Sequence, residues 1–163
     1  QLVILGLDEG LYQGLDQQAA LRALLVEHPQ LLGRLHFPGR VGNVVDWYVC
    51  AQVFVLASRY EGFPNVLLEA MAAGCCCVAV DCPQGPGDLI NNGVNGCLLP
   101  EGASDELWVQ QLKQLLDDPA LRQSLSAHAI EVRELYAPSE LRQRLMQALG
   151  QVVAEAETSR DDI

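Results

Sequence analysis

The most informative segment reads Val53-Phe-Val-Leu-Ala-Ser-Arg-Tyr-Glu-Gly-Phe-Pro-Asn-Val-Leu-Leu-Glu-Ala-Met-Ala-Ala-Gly-Cys-Cys-Cys-Val-Ala-Val80. It begins with a continuous apolar run, residues 53–56, and ends with another, residues 76–80. Between them, residues 65–73 have the pattern of a helix. Apolar strands without polar alternation are typical of parallel sheets that are covered on both faces. The segment therefore predicts two parallel strands joined by a helix.

The same alternation extends over the first hundred residues. Further strand-like runs lie at residues 2–5, 35–37 and 96–99, and helical patterns lie at residues 15–27 and 44–50. Strands that alternate with helices indicate a doubly wound, Rossmann-like α/β sheet. One such domain is predicted to cover residues 1–150.

The last sixty residues have a helical character. Ser104 is a predicted N-cap, Asp118-Pro119 begins a second helix, and Pro138-Ser139 begins a third that runs to about Leu149. Residues 151–163 are predicted to form a polar tail, and we expect residues 155–163 to fray.

Composition and charge exclude several classes of protein. Half of the residues are hydrophobic, which is enough to fill a core. No apolar run is long enough to cross a bilayer, and no secretory signal is visible. The net charge of −11 disfavours nucleic acid and anionic membrane as partners of this segment. A phosphate site in such a chain has to be built from local dipoles.

The six cysteines do not indicate a disulfide framework or a zinc site. Cys75, Cys76 and Cys77 are consecutive within an apolar run, which predicts buried and reduced thiols. The sequence has no Cys-x-x-Cys pair, and its three histidines are scattered.

The candidate chemistry lies in the loop before the helix at residue 65. Gly62 permits a positive φ or a close approach of the backbone to a ligand. The first amides of a helix lack partners within the helix and point outwards at the positive end of the dipole, so they form an anion site. Glu61 lies on the loop, and Glu69 is expected about one turn inside the helix. Carboxylates beside a phosphate site suit a ligand that also carries hydroxyl groups.

Residues 58–74 resemble the Glu-x7-Glu signature of retaining glycosyltransferases of the GT-B fold, the family 4 group that uses nucleotide-sugar donors. Glu61 and Glu69 have the seven intervening residues of that signature. The resemblance covers about residues 1–150 and includes Gly85-Pro86 and Asn92-Gly-Val-Asn-Gly96. Upstream, His36-Phe-Pro-Gly-Arg-Val41 resembles the loop that faces the nucleobase.

The resemblance implies a role for each matching residue. Glu61 is the implied catalytic residue, beside the donor sugar, and Glu69 is implied to bind the ribose hydroxyls. Backbone amides of the loop and helix start are implied to contact the sugar or the diphosphate, and the upstream loop to line the base pocket. The implied donor-binding set is Gly62, Phe63, Asn65, Val66, Glu69, Gly39, Arg40 and Val41. For Phe63, simple packing is an equal alternative.

The chain departs from the family pattern in three places. Members of the family carry an Arg and a Lys that clamp the diphosphate. This chain has no counterpart of that pair, and its one lysine, Lys113, lies in the helical second half. Gly87-Asp88 stands where Arg-Glu is common, and Cys76 stands near the usual proline. The chain begins without Met inside a predicted strand, so we expect it to be a piece of a longer protein that lacks the first strand and helix. No Asp-x-Asp motif occurs, and we expect no metal and no other cofactor.

The resemblance predicts the donor-binding half of a retaining hexosyltransferase that acts on a saccharide or lipid-linked acceptor in polysaccharide biosynthesis. The implied partners are a nucleoside diphosphate sugar and an N-terminal acceptor domain, and the fragment alone is expected to be inactive. We expect a cytoplasmic location, with no direct membrane contact by this segment, although the full-length enzyme could be peripheral to the membrane. The alternatives are a GT-B sugar-nucleotide epimerase, a non-catalytic nucleotide-sugar-binding module, and an α/β domain without a site here.

Overall fold

The computed structural model describes residues 1–6, 16–83 and 85–161. These residues form two compact units, Gln1–Val44 and Val45–Ile163. Each unit contains parallel strands joined by helices, as the sequence predicts. Leu15, at the predicted start of the first helix, and the last two residues of the predicted tail lie outside the described residues.

The described residues of the first unit, 1–6 and 16–44, include two parallel strands and an α-helix between them. Strands β1 (Leu2–Leu5) and β2 (Leu35–Gly39) pair with Leu2 opposite Leu35. Helix α1 (Gln17–Glu27) begins after Asp16, whose carboxylate accepts a hydrogen bond from the amide of Ala19 at 2.8 Å. This bond satisfies one of the free amides of the first turn. A 3₁₀ turn at Pro29–Leu31 follows α1.

The second unit contains a three-stranded parallel sheet in the order β3-β4-β5. Its strands are β3 (Phe54–Leu56), β4 (Cys77–Asp81) and β5 (Cys97–Pro100). Helix α2 (Val44–Cys50) precedes β3, α3 (Asn65–Ala72) joins β3 to β4, and a 3₁₀ turn at Pro86–Asp88 follows β4. The central strand β4 is the most buried, which explains why its sequence is apolar without alternation.

Four helices follow the sheet, and two of them complete its core. They are α4 (Asp105–Asp117), α5 (Pro119–Ala129), α6 (Val132–Leu135) and α7 (Pro138–Asp161). One buried cluster joins strand and helix side chains, namely Cys76, Val78, Cys97, Leu99, Leu115 and Leu125. The predicted caps are confirmed: Ser104 accepts from the amide of Leu107 at 3.4 Å, and Asp118 from that of Leu121 at 2.9 Å.

Two features of the C-terminal region differ from the prediction. Helix α6 was not predicted, because four residues are too few to show a helical period. The predicted polar tail is helical as far as Asp161, so the expectation that residues 155–163 fray is not met as far as that residue. Of the helices formed by the described residues, none combines the length and the apolarity that crossing a bilayer requires.

Candidate functional site

Helix α3 begins at Asn65 without a side-chain cap, at the position that the sequence predicts. The amide of Asn65 donates to the carbonyl of Phe63 at 2.9 Å, and the amides of Leu67 and Leu68 donate to the carbonyl of Pro64. Within the described residues, no acceptor is recorded for the amide of Val66. The N-terminus of α3 thus keeps a free donor at the positive end of the helix dipole. Gly62, Phe63, Asn65 and Val66 are all exposed here.

Gly62 is in a conformation that does not require glycine. Its φ lies outside the left-handed region, and a Cβ added to it would meet no atom within 4 Å. Of the two reasons that the sequence allows for a glycine here, a positive φ is therefore excluded. The other reason, room for a ligand to approach the backbone, is compatible with the open space at this position.

Glu61 packs against the segment that follows β4. The side chain is half-buried, and its Cβ lies 3.1 Å from where a Cβ on Gly85 would be. A side chain at position 85 would therefore push on Glu61. Gly85 is buried, and this contact could not be predicted because the two residues are 24 positions apart in the sequence.

Glu69 lies one turn inside α3, as predicted, with an exposed side chain. One of its carboxylate oxygens, Oε2, lies 3.5 Å from the hydroxyl of Tyr48. Tyr48 is on α2, is 5% exposed, and packs edge-on against the ring of Phe54. Burial, and then the charge of Glu69, raise the pKa of Tyr48 to about 12. Tyr48 is a neighbour of the candidate site that the sequence analysis did not identify.

Two side chains at or next to α6 contact the loop before α3 and the C-terminus of α3. The ring of Tyr136 lies 5.9 Å from that of Phe63, between ring centres. The side chain of Arg133 donates from Nε to the carbonyl of Ala72 at 2.6 Å, at the C-terminus of α3. Phe63 therefore packs, as one of its two predicted alternatives states, although 43% of it stays exposed.

The C-terminus of α3 is closed by Gly74, whose φ is +80°. The amide of Gly74 donates to Met71, and the amide of Cys75 donates to Ala70. These two bonds form a Schellman motif, which satisfies the last carbonyls of the helix and needs a left-handed residue. The strand β4 begins three residues later, so this turn sets the connection from α3 to the sheet.

A cavity of about 310 Å³ lies beside the end of β4 and is acidic rather than basic. Asp81, Asp88 and Glu101 line it, together with Cys82, Pro83, Gly85 and Gly87. A Cβ at Gly87 would lie 2.7 Å from Oδ1 of Asp81, so a larger residue here requires Asp81 to move. Glycine at position 87, where the family commonly has arginine, therefore avoids a close contact with Asp81. Across residues 1–6, 16–83 and 85–161, no three His, Cys, Asp or Glu side chains are arranged to hold a metal ion.

The remaining predicted site residues belong to the first unit. Gly39 ends β2 with a φ of +73°, and its carbonyl accepts from the amide of Gly6 at 2.9 Å. Arg40 is exposed and Val41 is half-buried. Their role at a nucleobase remains a prediction.

The Asn92–Gly96 motif forms a turn whose side chains hold the backbone. The carboxamide of Asn92 accepts from the amide of Leu98 at 2.9 Å, and that of Asn95 accepts from the amide of Asn91 at 2.8 Å. A Cβ at Gly96 would lie 3.2 Å from the carbonyl of Cys77. These contacts give the motif a structural role beside β4.

Comparison with known proteins gives one family. Residues 1–118 match the family model described as "Glycosyl transferases group 1". Among curated proteins, the chain is 50% identical over 52 residues to the lipopolysaccharide 1,6-galactosyltransferase of Salmonella typhimurium, which covers 32% of this chain and 14% of that protein. It is 30% identical over 121 residues to a diphospho-undecaprenol α-1,3-N-acetylgalactosaminyltransferase of Campylobacter jejuni, which covers 74% of this chain and 32% of that protein. The chain therefore spans a third or less of the length of these two relatives.

Solved structures share the fold over nearly the whole chain. The Anabaena protein HepE, solved in complex with UDP, superposes with a TM-score of 0.80 at 22% identity, covering 91% of this chain and 40% of that one. Sucrose-phosphate synthase from Thermosynechococcus elongatus superposes with a TM-score of 0.79 at 26% identity, covering 95% and 39% respectively. The Rossmann-like prediction for this chain is confirmed by this likeness.

Proposed function

The chain belongs to the group 1 glycosyltransferases, and we propose that it is the donor-binding part of a retaining GT-B enzyme. The proposed donor is a nucleoside diphosphate sugar, and the proposed acceptor is a saccharide or a lipid-linked saccharide. The observation that carries the proposal is the uncapped N-terminus of α3, with Glu61 just before it and Glu69 one turn inside it.

The diphosphate is proposed to bind at the first amides of α3. No group in the described part of the chain accepts from the N–H of Val66, and Gly62 leaves the approach to the backbone open. Preorganised amides stabilise a departing diphosphate most when its charge increases in the transition state, because they need no reorganisation. No metal is proposed at this site.

The two glutamates are proposed to bind different parts of the donor. Glu69 accepts hydrogen bonds from the ribose hydroxyls, since a carboxylate can accept from both hydroxyls of a diol. Glu61 lies beside the sugar and orients the glycosyl group. Two relatives support a donor of this kind: HepE has been solved in complex with UDP-glucose, and the Salmonella relative is a galactosyltransferase by name.

The acceptor site is proposed to lie in another domain. The chain covers 40% of HepE and 39% of sucrose-phosphate synthase, so most of each neighbour lies outside the match. Orienting two reactants supplies a large part of enzymatic rate enhancement. We therefore propose that the isolated chain binds a nucleotide diphosphate weakly and catalyses no transfer.

A binding experiment tests the proposal. UDP, GDP and ADP are titrated into the chain by NMR, and shifts are expected for residues 62–69 with one of them. Glu69→Ala is expected to weaken that nucleotide by about 1–3 kcal/mol, the cost of leaving polar partners unpaired. Glu61→Ala is expected to leave the free nucleotide nearly unchanged but to abolish the extra affinity that an attached sugar gives.

Glu140→Ala is the matched control, because Glu140 is an exposed glutamate at the start of α7. It is expected to bind like the unmodified chain. No response to any of the three nucleotides contradicts the donor site. If Glu61→Ala abolishes binding of the free nucleotide and Glu69→Ala does not, the roles of the two glutamates are reversed.

A further inference from the structure

Tyr48 is buried, with its hydroxyl towards Glu69. Its ring is 5% exposed and meets the ring of Phe54 edge-on, with centres 5.5 Å apart and planes at 89°. Edge-to-face packing is a favoured arrangement of aromatic rings. A residue on α2 therefore presents one O–H group to a carboxylate on α3, across a sequence separation of 21.

The chemistry of this pair makes Tyr48 the donor and Glu69 the acceptor. Because burial raises the pKa of Tyr48 to about 12, the phenol keeps its proton at neutral pH. The separation of 3.5 Å between the hydroxyl and Oε2 is long for such a bond. Hydrogen bonds at a site without its ligand are often long and shorten when the ligand binds.

The hydroxyl is not required by the core. A buried phenol normally bonds to a fixed group in the protein, since an unpaired polar group is costly to bury. Here the acceptor is the carboxylate of an exposed glutamate. The ring alone fills the space beside Phe54, so phenylalanine would pack equally well at position 48.

We propose that Tyr48 is a positioning residue, whose O–H group holds Oε2 of Glu69 and leaves Oε1 to accept from the nucleotide's ribose hydroxyls. This inference rests on the proposed function, because it assigns a support to the ribose-binding carboxylate. A glutamate that is already oriented loses less side-chain freedom when the ligand binds.

Tyr48→Phe is the test, with UDP as the probe in titrations of the 163-residue chain. The substitution removes one oxygen and keeps the ring. We expect the affinity for UDP to fall about three- to tenfold, the range of a single lost hydrogen bond. In a Glu69→Ala background the same substitution should change nothing further, because the coupling partner is gone.

Tyr136→Phe is the matched control, since it removes the hydroxyl of a second, half-buried tyrosine outside the proposed pair and keeps the ring that packs against Phe63. It is expected to bind UDP like the unmodified chain. If the chain binds UDP and Tyr48→Phe binds it equally well, the positioning role is overturned while the donor site stands. If Tyr48→Phe weakens UDP equally with and without Glu69, its effect is structural and the inference is also overturned. If the unmodified chain does not bind UDP or any other nucleotide diphosphate, both proposals fail.

Discussion

Replacing Gly62 by alanine should separate the needs of the fold from the needs of a ligand. The φ of Gly62 is not left-handed, and the added methyl group would meet no atom within 4 Å. A compatible Gly→Ala change stabilises by about 0.4–1 kcal/mol, because it restricts the unfolded chain. We therefore expect Gly62→Ala to leave the free energy of unfolding unchanged or to raise it by up to about 1 kcal/mol.

Gly74, just after the C-terminus of α3, provides the contrasting variant. Its φ is +80°, and an added Cβ would lie 3.3 Å from Cγ2 of Ile130. A non-glycine residue in the left-handed region costs about 1–2 kcal/mol, and the close contact with Ile130 adds to this. Gly74→Ala should therefore lower the melting temperature by several degrees, at roughly 2–4 °C per kcal/mol for a chain of this size.

The affinity for UDP should change in the opposite order, more in Gly62→Ala than in Gly74→Ala. A phosphate oxygen that accepts a hydrogen bond from an amide lies about 2.9 Å from the nitrogen. A methyl group on the same side of the backbone blocks so close an approach. Gly62→Ala places a methyl group on the open side of the loop, so the affinity for UDP should fall on the order of tenfold, about 1.4 kcal/mol. Urea unfolding and NMR titration measure the two quantities. Gly62 does not have the proposed role if Gly62→Ala destabilises the fold as much as Gly74→Ala, or if it binds UDP as tightly as the unmodified chain.

Three further predictions concern the cysteines and α6. A thiol reagent without denaturant should label Cys50 first, because this thiol is exposed and the other five are buried; rapid labelling of Cys76 and Cys77 would contradict the assigned strand. Burial raises the pKa of Cys76 from 9.0 to about 12, so the stability that the buried thiol contributes is present below pH 9 and is lost as the pH rises towards 12. The urea midpoint should therefore fall over this interval, and less in Cys76→Ala. Arg133→Gln should lower the free energy of unfolding by about 0.5–1.5 kcal/mol, since it removes a bond to the C-terminus of α3, whereas Arg142→Gln, an exposed change on α7, should have no effect.

The elements of the fold could be predicted from the sequence because their signals are local. Strands β3, β4 and β5 are short apolar runs, and each was predicted to within one residue at either end. Helix starts were predicted where a cap is encoded beside the helix, as at Ser104 and Asp118. The predicted position of Glu69 followed in the same way, because it depends only on where α3 begins.

The supports of the candidate site could not be predicted, because they depend on packing between distant residues. The contact between Tyr48 and Glu69 spans 21 residues, and that between Arg133 and Ala72 spans 61. Neither pair has a spacing that marks it in one sequence. The sequence identifies Gly85 only as part of the Gly85-Pro86 motif. Its contact with Glu61 depends on the path that the chain takes after β4.

The net charge leads to a prediction about how salt affects binding. With a charge of −11, the chain repels an anionic nucleotide at long range. The attraction proposed at α3 comes from amides that act over hydrogen-bond distance. Salt shortens the Debye length from about 30 Å at 0.01 M to about 10 Å at 0.1 M, so it screens the distant repulsion far more than the contact. The affinity for UDP should therefore rise as salt is added over this range.

Uridine is the control for this measurement, because it lacks the diphosphate and should bind independently of salt. An arginine or lysine clamp would give the opposite result, since attraction between a cationic side chain and a phosphate weakens as salt is added. The sign of the change therefore distinguishes the two ways of holding the diphosphate. A falling affinity for UDP would show that cationic side chains of this chain, and not the amides at the start of α3, supply most of the attraction.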